Sequence, residues 1–315
     1  MKKFKTRLTL RELFALWICK GARRLLRLLG RGGTNLPGKL ALKISPKLLE
    51  KLASGMFVIA VSGTNGKTTC CRMIARAFEN AGQSCLANKA GANLLTGIVA
   101  EFAGGAGLLG RPKHKYAVIE CDEAAAKSVF PLLRPSIVLL TNVFRDQLDR
   151  YGEVMHTLGN LRQAVEQVPE ALLCLNADDS LLCSLQGQVP NPMLFYGVDS
   201  PLSGENGSYV PDARFCIRCG APYAYDYRTY GHLGAFYCPN CGYRRPQPHV
   251  SARPAEPEGS ESRIALNING GEFEACLALP GAYNVYNAAA AACALHGAGF
   301  SPQEIKSALE TVSCG

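Results

Sequence analysis

Apolar residues fall in short unbroken runs along much of this chain: Met56-Phe57-Val58-Ile59-Ala60, Tyr116 to Cys121, Ser136 to Thr141, Ala171 to Asn176 and Met193 to Tyr196. Uninterrupted Val, Ile and Leu at this length predict strands buried on both faces. Helical spacing fills the intervals, as in Arg72 to Phe78 after the first run. Strand and helix in alternation predict an α/β fold, a parallel sheet with flanking helices. Ligands of such sheets sit beyond the carboxyl ends of the strands, so the residues ending each run are the ones to inspect.

The pattern changes twice. Between Leu8 and Leu29, Leu10, Leu13, Phe14, Trp17, Leu25, Leu28 and Leu29 recur mostly at three- and four-residue spacing among Arg11, Lys20, Arg23, Arg24 and Arg27. A basic amphipathic helix is predicted, within a basic segment 1–54. Its longest uncharged run, Leu13 to Cys19, is far short of the roughly 20 residues a membrane span needs, and Lys20 and Arg23 follow it without a small-residue cleavage site. From Tyr209 to His249 the periodicity gives way to aromatics and cysteines, which predicts an inserted unit at 210–248, too small for a core of its own, followed by a polar linker from Ser251 to Ser262. Strand patterns resume at Arg263 to Asn269 and Phe273 to Leu279. Ser301-Pro302-Gln303-Glu304 then opens a last helix with an N-cap, an N1 proline and a capping-box glutamate.

Charge sharpens the reading of the first segment. The chain of 315 residues carries +9 overall, yet its first 51 residues hold fourteen Lys or Arg against Glu12 and Glu50, which makes them +12 and leaves the rest at −3. That points to an anionic surface or partner met by the N-terminus, with a charged helix packed on the body as the other reading; the protein is expected to be cytoplasmic, and peripheral at the inner membrane face if this helix meets lipid. The cysteine-rich insertion has no dense run of Lys or Arg, so no nucleic-acid partner is expected. Most of the fourteen cysteines, such as Cys121, Cys174, Cys276 and Cys293, stand alone in apolar runs, the pattern of reduced thiols.

Two motifs carry chemistry. Residues 61 to 69 read Val-Ser-Gly-Thr-Asn-Gly-Lys-Thr-Thr between the first strand and a helix. Backbone N–H groups, the positive end of a helix dipole and a lysine there converge on one point, which suits the polyphosphate of ATP. Gly63, Thr64, Asn65, Gly66, Lys67, Thr68 and Thr69 are the candidate ATP-binding residues, with Lys67 on the β- and γ-phosphates and the Thr68 hydroxyl on Mg²⁺. The loop departs from a strict Walker A motif, because Val61 stands nearest the expected first glycine. The second motif is a pair of CxxC knuckles, Cys216-Cys219 and Cys238-Cys241, each followed by glycine. Their spacing fits a four-thiolate zinc site that is structural, since a closed tetrahedron leaves no open position. His232 and His249 nearby read as surface residues. At the strand ends stand Glu120 with Asp122 and Glu123, then Thr141-Asn142, then the polar cluster Arg145-Asp146-Gln147-Leu148-Asp149-Arg150. Glu120 is the best placed to meet Mg²⁺.

Gly63 to Thr68, Glu120, Thr141-Asn142 with Asp146 and Asp149, Asn176-Ala177-Asp178-Asp179, and Leu279-Pro280-Gly281 with Asn284 and Asn287 resemble, in order, the motifs of the Mur ligase central domain. The resemblance spans roughly residues 55 to 312, taken as the central ATP-binding domain at 55–315. It implies Thr68 and Glu120 as magnesium ligands and Asn287 as an adenine contact. With a Cys₄ insertion and a short basic N-terminus, the chain is most similar to the branch of the family that amidates lipid II. That branch implies phosphorylation of the D-glutamate α-carboxylate by ATP and displacement of phosphate by ammonia from a GatD-type glutaminase subunit. Gln147 stands where many relatives have a metal-binding His, which leaves a second Mg²⁺ site open. No Lys occurs between Gln147 and Leu172, where many carry a carbamylated one. The family's C-terminal domain, implied to bear a catalytic Asp and to dock the glutaminase, has no counterpart up to Gly315, so no catalytic residue is assigned. An amino acid ligase of the folylpolyglutamate synthase type, a non-catalytic ATP-holding chain and a zinc-ribbon nucleic-acid ATPase are the other readings.

Overall fold

The computed structural model describes residues 7–30, 35–88, 91–145, 151–202, 213–255, 262–277, 279, 281 and 283–312. Three helices come first: α1 (Leu10–Leu28), α2 (Asn35–Ile44) and α3 (Leu48–Ala53). Thr9 caps α1 through a reciprocal box, its hydroxyl accepting from Glu12 N–H and the Glu12 carboxylate accepting from Thr9 N–H. The core takes Ala15, Leu16 and Cys19 from α1, Ala41 from α2 and Leu48, Leu49 and Leu52 from α3. Small residues let these helices approach closely. A Cβ at Gly38 of α2 would lie 1.8 Å from the Thr96 carbonyl oxygen.

The sheet follows in regular alternation: β1 (Phe57–Ser62), α4 (Lys67–Asn80), β2 (Cys85–Ala87), α5 (Leu95–Gly104), β3 (Tyr116–Glu120), α6 (Ala126–Leu133), β4 (Ile137–Leu140), α7 (Tyr151–Glu166), β5 (Leu172–Asn176), α8 (Ser180–Cys183) and β6 (Met193–Val198). An antiparallel hairpin, β7 (Ala224–Tyr230) and β8 (Leu233–Tyr237), stands apart from it. β9 (Val250–Pro254), β10 (Ser262–Ile268) and β11 (Gly271–Leu277) complete the sheet, and α9 (Tyr283–Gly297) and α10 (Pro302–Glu310) close the described chain. The strand order is β11-β10-β9-β6-β5-β4-β1-β3-β2, parallel from β2 to β9 and antiparallel through β10 and β11.

Alternate residues of the central strands feed two cores. Val58, Ala60, Val138 and Leu140 face the side covered by α1, α3 and α5 to α7, whereas Ile59, Val61, Ile137 and Leu139 face α4, α9 and α10. That two-sided burial is why the strands read as continuous apolar runs. Helix α9 is buried on every side from Asn284 to Leu295, and its run of alanines admits the sheet on one flank and α4 and α10 on the others.

The stretch read as a polar linker from Ser251 to Ser262 begins instead as sheet. β9 pairs with β6 in parallel, Tyr196 opposite Val250 and Val198 opposite Ala252. Only Val250 and Ala252 of this short strand are buried, beside a half-exposed Ser251 and exposed Arg253 and Pro254. So few inward residues leave little periodicity to detect.

Candidate functional site

The register sets Val61 opposite Glu120 and Ser62 opposite Leu140, so β1, β3 and β4 end at one edge of the sheet. The loop from Gly63 to Gly66 crosses that edge. Gly63 and Gly66 have φ of 119° and 85°, and a Cβ on Gly63 would lie 2.3 Å from Thr141 Oγ1 and 2.9 Å from its backbone nitrogen. Only glycine fits there. Residues 141–144 hold the loop in shape. Thr64 N–H donates to the Asn142 carbonyl at 2.8 Å, and Asn65 N–H to Asn142 Oδ1 at 3.0 Å. Asn142 Nδ2 donates to Asn65 O at 3.2 Å, and Phe144 N–H to Thr64 Oγ1 at 3.0 Å. Two loop amides are thereby committed to the scaffold. Helix α4 has Gly66 at its N-cap and no side-chain cap, so its first-turn N–H groups are left to face an anion.

Lys67 and Thr68 open α4. The Lys67 ammonium donates to the Gly63 carbonyl and to the Thr64 carbonyl at 3.0 Å, and pairs with Glu123 at 3.3 Å. Thr68 Oγ1 donates to Glu120 Oε2 at 2.7 Å. Burial pushes the Glu123 carboxyl above its ordinary value, against the pull of Lys67. Asn88 fixes Glu120 from behind. Its side chain accepts from Glu120 N–H and donates to Glu120 O, both at 2.8 Å. Nothing in the local pattern around Asn88 marked it. Asp122 has a structural task, accepting from Ala124 and Ala125 N–H at 3.0 and 3.2 Å to turn the chain into α6. Thr68 and Glu120 together offer a hydroxyl and a carboxylate at the N-terminus of a helix, a donor set suited to Mg²⁺.

Beside this loop opens a cleft of about 320 Å³, bounded by Gly66, Thr69 and Asn142 on one side and by Phe144, Tyr230 and Tyr283 on another. An apolar, aromatic cleft against a polyphosphate-type loop matches the two halves of a nucleotide. Asn287 lines it, nearly buried, with its Oδ1 where a Gly66 Cβ would come within 2.1 Å. Its amide nitrogen donates to Asn284 Oδ1 at 2.9 Å, so the two asparagines brace each other. A larger cleft of about 860 Å³ lies at the opposite, amino edge of the strands near Phe57, His114 and Arg134, away from the glycine loop.

Tyr230 and Leu233 belong to the hairpin of the insertion, so the insertion furnishes one wall of the cleft. Asp178, fully buried, fastens it there. Its carboxylate accepts from Arg245 Nε at 2.5 Å, from Val198 N–H at 2.8 Å and from the Tyr286 hydroxyl at 2.7 Å. The Tyr286 hydroxyl also hydrogen-bonds Thr229 on β7. Burial raises the Asp178 carboxyl while Arg245 draws it down. Asp179 accepts from Val143 N–H at 2.9 Å and caps α8. The Asp178-Asp179 pair thus joins sheet, insertion and α9.

His232 is not a surface residue. It sits fully buried in the hairpin turn with its ring 4.6 Å from that of Phe144 and its Nε2 3.6 Å from Asp179. His249 is half-buried and accepts from Phe195 N–H through Nδ1 at 3.0 Å. His232 faces inward because the hairpin folds back over Phe144, and His249 because it leads into β9 beside Phe195, tertiary events without a local signal.

The thiols of Cys216, Cys219, Cys238 and Cys241 lie within 4.8 Å of one another. A tetrahedral zinc with Zn–S near 2.3 Å has sulfur–sulfur edges of roughly 3.8 Å, so the set fits that metal. Hydrogen bonding by the Asn240 side chain draws the Cys219 thiol down to about 6, while Cys241, hydrogen-bonded by the other thiols, is pushed up. Aromatic residues of the insertion are built into the main core. Tyr223, Phe236 and Tyr243 pack with ring centroids 5.4 Å apart for each pair with Phe236, and they join the main core. Tyr243 donates to the Ser180 carbonyl at 2.7 Å. The described cysteines form no disulfide. Asp146, Gln147 and Asp149 lie outside the described residues, as does Pro280.

The Mur ligase middle domain matches residues 61–206. The MurT subunit of lipid II isoglutaminyl synthase (glutamine-hydrolyzing) from Staphylococcus aureus strain COL is 34% identical over 307 residues, covering 96% of this chain and 67% of that protein. The same-named subunit of Streptococcus pneumoniae is 34% identical over 280 residues, 88% of this chain and 61% of that protein. This chain therefore spans about two thirds of the length of these relatives. Among solved structures, a pseudomurein peptide ligase type C from Methanothermus fervidus superposes with a TM-score of 0.67 at 23% identity, covering 88% of this chain and 56% of that one. MurF from Acinetobacter baumannii superposes with a TM-score of 0.63 at 17% identity, covering 88% and 50%. The fold is that of a Mur ligase central domain with a four-cysteine insertion, and the chain belongs to the Mur ligase family, in the MurT branch of these ligases.

Proposed function

We propose that this chain is the ATP-binding ligase part of an enzyme that converts the D-glutamate α-carboxylate of lipid II to the amide of D-isoglutamine. One observation carries the reading: 34% identity to MurT subunits runs through 96% of the chain, across the loop that joins Lys67, Thr68 and Glu120. In this reading a carboxylate oxygen of the substrate attacks the γ-phosphorus of ATP and ADP departs; ammonia then attacks the acyl carbon of the acyl phosphate, inorganic phosphate leaves, and the nitrogen gives up a proton to become the amide. A glutaminase subunit of the GatD type supplies that ammonia from glutamine.

The first-turn amides of α4 and the Lys67 ammonium hold the phosphate oxygens and take up charge as it shifts toward the leaving group. Lys67 exchanges its internal carbonyl contacts for phosphate in doing so. Thr68 and Glu120 would hold Mg²⁺, which would supply positive charge against the phosphates. Phe144, Tyr230 and Asn287 take the base. The four cysteines hold a structural zinc that keeps the hairpin wall in place, with no part in the reaction.

Reconstitution with the glutaminase subunit tests this directly. Lys67→Ala is expected to abolish amidation of lipid II and leave the metal content unchanged; amidation at the wild-type rate overturns the proposal. Supplying free amino acids in place of glutamine and glutaminase tests the alternative of an amino acid ligase, since only that enzyme would extend its substrate under those conditions.

A further inference from the structure

Helix α1 has two apolar faces, and the core uses only one. The packed face consists of Ala15, Leu16 and Cys19, locked by an Arg23–Glu101 ion pair at 2.6 Å and by Lys20 donating to the Ala106 carbonyl at 2.6 Å. The opposite face leaves Leu10 86% exposed, Phe14 54%, Trp17 48%, Leu25 58% and Leu28 78%. Positions 10, 14, 17, 25 and 28 fall on a single stripe of a 3.6-residue helix, about 27 Å long. The loop before β3 widens it. Trp17 Nε1 donates to the Leu108 carbonyl at 2.9 Å, which sets the exposed side chains of Leu108 and Leu109 next to the stripe.

The charge around this face has one sign. Arg7, Arg11, Arg24 and Arg27 are exposed on the helix and the residue run before it, and Arg111 and Lys113 follow the two loop leucines. No Asp or Glu occurs between Glu12 and Glu50 or between Glu101 and Glu120. Glu12 is buried in its own helix cap and Glu101 is buried against Arg23. The stripe therefore offers leucine, phenylalanine and tryptophan rimmed by cations alone. Large apolar side chains held outward cost free energy unless something covers them, and the rim selects an anionic cover. A bilayer bearing acidic headgroups supplies both, an acyl boundary for the stripe and phosphates for the arginines. The chain's sole tryptophan sits in the middle, with its ring suited to the headgroup level.

We infer that the outer face of α1, with Leu108 and Leu109, docks this protein flat on an anionic lipid surface. The docking does not depend on the proposed amidation. Helix α1 is already folded and fixed, so it enters the interface as a rigid wedge without an ordering cost.

The full chain, incubated with large vesicles of equimolar phosphatidylglycerol and phosphatidylcholine, is expected to co-sediment with them and to leave pure phosphatidylcholine at least about tenfold less occupied. Trp17 fluorescence should shift to the blue on binding and be quenched by brominated acyl chains. Leu28→Glu and Leu108→Glu, both at exposed positions that the core does not use, should each lower vesicle affinity about tenfold or more while ATP binding stays unchanged. Failure of ATP binding in the wild type would count against the proposed function alone. Equal sedimentation with both vesicle types, or Trp17 fluorescence indifferent to lipid, overturns the inference. So does a dimer in solution that Leu28→Glu dissociates, which would make a second copy the cover.

Discussion

Replacing Asp178 by Asn strikes the tie between the sheet, the cysteine insertion and α9. The carboxylate is fully buried and accepts three hydrogen bonds, from Arg245, from Val198 N–H and from the Tyr286 hydroxyl. An amide keeps the shape but turns one oxygen into a donor. If the NH₂ takes the Oδ1 position it faces the guanidinium; in the Oδ2 position it faces Val198 N–H. Either way two donors meet in a dry site, and Arg245 loses its buried counter-charge. Removing one partner of such a pair costs about 3–5 kcal/mol. Arg245 keeps Asp199 at 2.9 Å and has 13% of its side chain exposed, which places the expected loss at the lower end, about 3 kcal/mol. For a chain of this size that is a fall in Tm of about 4–5 °C. Thermal melts and urea titrations of wild type, Asp178→Asn and the control Asp199→Asn measure it; the half-exposed Asp199 contact is worth under about 1 kcal/mol. Because Tyr286 and Thr229 share the network, ATP affinity should drop together with stability in Asp178→Asn. A melt within about 1 °C of wild type would refute the argument that this carboxylate organises the site.

Gly63→Ala should weaken ATP binding more than tenfold and destabilise by about 1–3 kcal/mol, since a Cβ at φ 119° collides with Thr141; calorimetric titration with ATP decides. Cys238→Ser, or removal of metal with a strong chelator, should lower both bound zinc, read by elemental analysis, and ATP affinity, because Tyr230 and Leu233 lose their anchor. Unchanged ATP affinity in metal-free protein would separate the wall from the cysteines. Glu123 gives a pH signature. Its carboxyl is raised in the folded state by burial, so it binds its proton more readily folded than unfolded, and its effect on stability worsens as pH rises through that window. Gln imitates the protonated form. The stability of Glu123→Gln relative to wild type should therefore grow as pH climbs from about 4 toward 7, and a difference that shrinks contradicts the burial argument.

The parallel sheet, the glycine loop and the paired knuckles could be read from residue order because each is set locally. Five apolar residues make a doubly covered strand, Gly63 and Gly66 make a turn that other residues resist, and CxxC spacing makes a chelate. Glu120 was legible for a related reason, since it ends a strand at the edge where parallel sheets open. What escaped was whatever depends on two distant segments meeting. Tyr230 reaches the cleft only because the hairpin folds over Phe144, and Thr229 meets Tyr286 from the far side of β9 to β11. Asn88, Asp178 and His232 take their roles from burial that no periodicity announces. Helix α1 was misleading in an instructive way. Its large apolar residues dominate the pattern, yet the body packs Ala15, Leu16 and Cys19 and leaves Leu10, Phe14, Trp17, Leu25 and Leu28 outward.

The path of the chain through the cysteine insertion has a meaning for how this fold can change. β6 and β9 are neighbours and parallel, so the chain must travel back along the sheet between them, a return that elsewhere in the fold is made by a helix. Here residues 199–249 make it, and they carry the four thiols and the hairpin on the way. Cutting the segment down to a short link would permit only an antiparallel β9, and with it a different sheet edge beyond β6. The cluster cannot be shed in one step as an appendage can. A lineage that loses its cysteines has to keep, or replace with a helix, a crossover of at least about a dozen residues.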